Sequence, residues 1–163
     1  MQKVGITLRP YRMSDLDAMH KLDVLCFEKP FRFTRSAMRR FSEAKNARVV
    51  IAEASDVLVG FVILDVEDTG EELLGYIVTL DISPRHRRQG LAGQLMQEAE
   101  RRAAREGCAV VVLHVFTGNE AAIRFYSGLG FVQSHREIDF YGHGFDAWVF
   151  HKPLSASDEL CRI

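Results

Sequence analysis

The chain has 163 residues, 47% hydrophobic and 26% charged, with a formal net charge of −1 at pH 7. That length predicts one domain burying about 70% of its unfolded surface, and the near-neutral balance argues against nucleic acid as the main partner. Cys26, Cys108 and Cys161 are far apart and form no C-x-x-C, which fits a reducing compartment and no metal site.

In chain order, residues 4–9 alternate as a first strand. No signal peptide precedes them and no apolar run reaches membrane-spanning length, so a soluble cytoplasmic protein is expected. Ser14, with Asp17 three positions on, predicts a capped helix start. Leu16, Met19 and the stretch 22–27 supply that helix's apolar face. The aromatic segment 26–33, interrupted by Pro30, predicts a loop, and Thr34 caps a second helix carrying Met38 and Phe41. His20 reads as a helix-surface residue and Met38 as core.

Segments 48–54 and 57–66 predict a hairpin closed by Ser55 and Asp56. The acidic loop around Gly70 is a solvated turn that needs no metal. Residues 75–82 are rich in β-branched side chains and predict a strand that stops before Pro84. Leu91, Leu95, Ala99 and Ala103 recur on one helix face, and Gly107 ends that helix. The nearly unbroken apolar run 109–116 predicts a strand covered on both faces. Strand, helix, strand at this spacing implies a right-handed crossover and a parallel pair. Asn119 caps a short helix over 120–129. Strands at 131–138 and 145–151 follow, joined by a loop over 139–144 that holds two glycines. The domain is expected over 1–154, with a mobile tail over 155–163.

The turn between strand 75–82 and the helix at Leu91 carries the chemistry. Gly90 and the small Ala92 permit close approach to the backbone, and the first helical N–H groups lack intrahelical acceptors. With Arg85, Arg87 and Arg88 they predict an anion site suited to a pyrophosphate. No Gly-Lys-Ser/Thr follows, and the glycines supply only part of G-x-G-x-x-G. What does match is Arg/Gln-x-x-Gly-x-Gly/Ala, as Arg87-Arg-Gln-Gly-Leu-Ala92.

That motif, with Leu80-Asp-Ile-Ser-Pro84 before it and Asn119-Glu-Ala-Ala-Ile-Arg-Phe-Tyr126 and Gly128-Leu-Gly-Phe131 after it, resembles the GCN5-related N-acetyltransferase superfamily. Within it, Gly75-Tyr-Ile-Val-Thr-Leu80, Leu113-His-Val115, Phe140-Tyr141 and Asp146-Ala147 resemble the protein N-terminal acetyltransferases, including the ribosomal-protein-alanine enzymes. The resemblance implies an α/β (α+β) fold: a mixed, mostly antiparallel sheet of about seven strands, its central parallel pair splayed around acyl-CoA, flanked by about four helices. It implies acetyl-CoA as co-substrate, held by Leu80, Asp81, Ile82, Arg87, Arg88, Gln89, Gly90, Leu91, Ala92, Asn119, Ala122 and Tyr126. The acceptor is expected to be a protein or peptide N-terminus, with a homodimer or an auxiliary subunit as the other partner.

Acetyl transfer needs a held carbonyl, a deprotonated amine and a protonated leaving thiol. The pantetheine arm can pair with exposed backbone near Leu80 and Ile82, where an N–H can polarise the thioester oxygen. By resemblance Tyr126 lies near the CoA sulfur as the acid, and Tyr76 and His114 take the positions of the base. An imidazole of pKa near 6.5 suits proton removal near neutrality. Asp81 stands where the family has a small apolar residue, and is either an arginine partner or a second base. Phe27, Glu28, Phe31 and Tyr141 are expected to line the acceptor site. Three readings stay open at this stage: a protein N-terminal acetyltransferase, an enzyme of the same fold acting on a small-molecule amine, and a non-catalytic acyl-CoA-binding module.

Overall fold

The computed structural model describes residues 5–155. Val4, Cys161 and residues 156–163 of the predicted tail lie outside them. Among the described residues, seven strands form one mixed sheet in the order β1-β2-β3-β4-β5-β7-β6, with four α-helices and two short 3-10 turns. This is the expected fold class. Two compact units share the described residues, 5–65 with 78–99 and 66–77 with 100–155, and the polypeptide passes between them in strands β3 (Val57–Asp68) and β4 (Leu73–Ile82) and in helix α3 (Leu91–Arg105).

In the first unit, β1 (Ile6–Pro10), β2 (Ala47–Ala54) and β3 (Val57–Asp68) pair antiparallel. Ser55 and Asp56 both adopt positive φ, 48° and 62°, as the two-residue turn between right-twisted strands requires. Helices α1 (Leu16–Cys26) and α2 (Arg35–Ser42) present Leu16, Met19, Leu22 and Met38 to Val49, Ile51, Phe61 and Ile63, forming one core. Val50, Ala52, Val62 and Leu64, on the alternate positions, are equally buried. These strands are therefore covered on both faces and read as continuous apolar sequence. A Cβ at Gly60 would lie 3.0 Å from the Asp81 carbonyl oxygen and 3.1 Å from Ile82 Cδ1, so glycine lets β3 meet this part of β4.

The start of α1 differs from expectation. Ser14 lies inside a 3-10 turn, Met13–Asp15, and does not cap the helix. The Asp15 carboxylate instead closes the 3-10 turn by accepting the Arg12 N–H at 2.7 Å, and no side chain caps α1. Arg9 grips the same carboxylate with two hydrogen bonds, 2.7 and 2.8 Å, and reaches Glu53 at 2.8 Å. A strand arginine thus selects Asp15 over the local serine signal.

In the second unit, β4 pairs in parallel with β5 (Cys108–Phe116) over Leu73–Ile77. β5 pairs antiparallel with β7 (Ala147–Pro153), which pairs with β6 (Val132–Glu137). Val111, Leu113 and Val115 are buried, while Val112, His114 and Phe116 on the other face of β5 are half-buried. The apolar run therefore conceals an alternation that turns His114 towards partly open space. Helix α4 (Glu120–Gly128) is capped by Asn119, whose side chain accepts the Ala122 N–H at 3.1 Å.

Candidate active site

In the first unit, β4 runs into the 3-10 turn Pro84–His86 and then the start of α3. Arg88 and Gly90 adopt positive φ, 59° and 81°. A Cβ at Gly90 would meet nothing within 4 Å, so glycine serves here by conformation and leaves the space above it open. The Gln94 N–H donates to the Gly90 carbonyl, the first bond of the helix, which leaves the amides of 91–93 as first-turn donors. Leu91 is buried and can offer only its backbone. Arg88, Gln89 and Arg85 are exposed. Arg87 turns back, its Nε donating to the Ile82 carbonyl at 3.3 Å, and Gln89 donates to the Arg85 carbonyl at 3.3 Å.

Phe27 and Phe31 are half-buried and Glu28 is exposed. Their loop is tied at both ends to Asp23: the Phe27 N–H donates to the Asp23 carbonyl at 3.0 Å, and the Phe33 N–H to its carboxylate at 2.8 Å. Arg32 adds a bond to the Val24 carbonyl at 3.2 Å. Asp81 is fully buried and accepts the Thr79 hydroxyl at 2.6 Å. Leu80, beside it on β4, is half-buried, and Ile82 is buried.

In the second unit, the two predicted bases meet. The Tyr76 hydroxyl lies 2.7 Å from His114 Nδ1, the rings edge to face. Burial first, and then Tyr141, Glu67 and Glu137, push the Tyr76 phenol well above its ordinary pKa. The phenol therefore keeps its proton near neutrality and can donate it to Nδ1 in the tautomer that carries the imidazole hydrogen on Nε2. Nε2 is 3.1 Å from the Glu137 carboxylate, an ion-pair distance without a hydrogen bond. The other Glu137 oxygen is 3.5 Å from His135, which is exposed. Phe140 stacks flat on His114, centroids 3.8 Å apart and planes within 3°. Tyr141 packs edge-on against Phe140, its phenol pushed up to about 12 by burial. Asp139 and Asp146 shape this loop by accepting the Gly144 and Asp139 N–H groups, and Arg136 binds Asp146 at 2.8 Å. Tyr126 lies on α4 with its ring edge-on to Phe125 and Phe131.

Sequence reasoning missed three residues. Glu137 ends a strand that reads as solvated, and nothing local ties it to His114. Phe140 belongs to a recognised motif without any sign that its ring covers the imidazole. Asp23 did carry a signal, a carboxylate four residues after Met19 in an apolar stripe. Among the described residues, no cluster of His, Cys, Asp or Glu has a metal-binding arrangement, and no helix is long and apolar enough to cross a membrane.

The model of the Acetyltransferase (GNAT) family matches residues 16–131, and the chain belongs to that family. It is therefore an enzyme of the N-acetyltransferase class, with acetyl-CoA as the expected donor. The N-terminal acetyltransferase B complex catalytic subunit naa20 of Schizosaccharomyces pombe is 34% identical over 102 residues, which span 60% of this chain and 57% of that protein. Histone acetyltransferase MCC1 of Arabidopsis thaliana is 30% identical over 191 aligned positions, covering 99% of this chain and 77% of that one. Arabidopsis thaliana NAA60, solved with acetyl-CoA and with a bisubstrate analogue, has the same fold at a TM-score of 0.82 and 26% identity in both structures. The matches cover 92% and 94% of this chain and 99% and 100% of that one.

Proposed function

We propose that this protein transfers the acetyl group of acetyl-CoA to the α-amino group of a protein or peptide, by direct attack of the amine on the thioester. The observation that carries the reading is the 2.7 Å contact between the Tyr76 hydroxyl and His114 Nδ1. It is a preformed proton path: as the amine nitrogen attacks the carbonyl carbon, its proton passes to the phenol oxygen while the phenol proton passes to Nδ1. The Glu137 carboxylate stabilises the imidazolium that results. The C–S bond then breaks, and Tyr126 hydrogen-bonds to or protonates the departing thiolate.

In this reading the 87–92 turn holds the pyrophosphate through first-turn amides and arginines. Arg87 exchanges its bond to the Ile82 carbonyl for a phosphate oxygen. Backbone at Leu80, Asp81 and Ile82 pairs with the pantetheine arm, and Asn119 and Ala122 support it from the start of α4. Phe27, Glu28, Phe31 and Tyr141 meet the acceptor. Its first side chain rests on the aromatic rings, and Glu28 attracts its positive charge. Domain limits of 1–154 and a cytoplasmic setting go with this reading.

The test is release of free CoA from acetyl-CoA with short peptides differing in their first residue, peptides blocked at the N-terminus but carrying lysine, polyamines and free amino acids. Turnover of unblocked peptides above all others is the expected result. Preference for the blocked lysine peptides or for a small amine would move the acceptor to a different class.

A further inference from the structure

Asp23 and Asp81 are both completely buried, one on α1 and one on β4. Each has one carboxyl oxygen already engaged: Asp23 Oδ2 takes the Phe33 N–H at 2.8 Å, and Asp81 Oδ1 takes the Thr79 hydroxyl at 2.6 Å. The remaining oxygens, Asp23 Oδ1 and Asp81 Oδ2, have no hydrogen-bond donor, and the two carboxyl groups lie within hydrogen-bonding reach of each other. Two buried carboxylates in contact repel and leave both oxygens unsatisfied, whereas one proton between them satisfies both.

We infer that Asp23 and Asp81 share a single proton and act as positioning residues, a clamp that holds the 27–33 loop against the Leu80–Ile82 stretch of β4. Asp23 is the hub. Its carbonyl and one carboxyl oxygen fasten the two ends of the loop, and its other oxygen fastens the helix to the strand. Cys26, one turn further along α1, adds a parallel tie by donating its thiol hydrogen to the Ile82 carbonyl at 3.2 Å. The groups facing the pair are His20 and Arg32 from the helix and loop, and Thr79, Cys26 and Arg87 around the strand. Burial, the largest influence on both carboxyls, pushes each up from its ordinary value, the direction that favours a retained proton. Asp81 is then committed to the clamp and is not a second base. The role assigned to the clamp rests on the proposed acceptor function of the 27–33 loop.

Two measurements on the full chain without substrates test it. The infrared spectrum at neutral pH should contain a protonated-carboxyl stretch that disappears in both Asp81→Asn and Asp23→Asn. In each variant an amide N–H replaces the shared proton. Exchange of the Phe33 amide should accelerate roughly tenfold or more in Asp81→Ala, the scale of one lost buried hydrogen bond, and return close to wild type in Asp81→Asn. With substrates, the acceptor KM should rise in Asp81→Ala more than kcat falls, and Asp81→Asn should restore it. A wild-type spectrum without the band, a band that survives both Asn variants, or equal Phe33 exchange in wild type and Asp81→Ala overturns the clamp. If Asp81→Ala does not fold, the two Asn variants and the spectrum decide. Absence of turnover with every amine would strike the functional reading and leave these substrate-free results standing.

Discussion

At the scale of single residues, the Tyr76–His114 contact sets what mutation should do. The proposed acceptor, an α-amino group, has an ordinary pKa of about 7.7–8.0, so an appreciable fraction is already neutral near physiological pH and a base needs only to take the remaining proton. His114→Ala and Tyr76→Phe should each lower kcat within the roughly 10²–10⁴-fold range of general bases, with little change in the KM for acetyl-CoA. If the two groups form one path, as proposed, the double variant should lose less than the product of the single losses. Multiplicative losses in steady-state kinetics would mean separate roles. Normal turnover by His114→Ala would make the imidazole a packing element beneath Phe140. Tyr76 and His114 could be picked out from sequence because each stands in a recognisable strand motif. Their partner Glu137 could not, since it reaches His114 only through the antiparallel pairings of β5, β7 and β6.

At the scale of elements, the strand-to-helix turn at 84–91 is where backbone and side chain divide the work. Gly90 supplies a positive φ and Leu91 a buried anchor, so the turn keeps its shape without help from the arginines. Arg87→Ala should therefore leave the far-ultraviolet circular dichroism unchanged while weakening acetyl-CoA. A charge-assisted hydrogen bond contributes about 1.5–3 kcal/mol, equivalent to a roughly 10–150-fold rise in Kd by calorimetry. An unchanged Kd would remove Arg87 from the anion site and leave it to the backbone amides with Arg85 and Arg88. The turn was visible in sequence because glycine spacing, a preceding proline and a following apolar helix stripe are local signals. The helix start at Ser14 misled for the converse reason. A serine with an acidic residue three positions on is a sound local rule, and here a strand arginine engages Asp15 instead. Local rules fail where a tertiary ion pair outweighs a cap worth about 1 kcal/mol.

At the scale of the whole molecule, two buried aspartate sites should leave opposite marks on stability against pH. Asp15 is held below its usual range, chiefly by the Arg9 hydrogen bonds. A depressed carboxylate stabilises the fold above its unfolded value and loses that contribution as pH falls through the folded one. Asp15→Asn should thus lower Tm near neutrality by roughly 4–8 °C, taking about 2 kcal/mol for the lost pair. That gap should start to narrow only below about pH 3.9 and close as pH falls through the lower, folded value. Asp81 is the reverse case, raised by burial and by Asp23. Its favourable contribution is complete below the unfolded value near 3.9 and is lost as pH climbs towards the folded one, because the unfolded chain ionises first. Asp81→Asn removes that dependence while keeping a hydrogen bond to Asp23. The Tm of the variant, measured by calorimetry across pH, should match wild type near pH 4 and move above it as pH rises. The difference should level off once the shared proton has left. A difference that stays flat from acid to alkaline pH would mean that Asp81 holds no proton in the folded state.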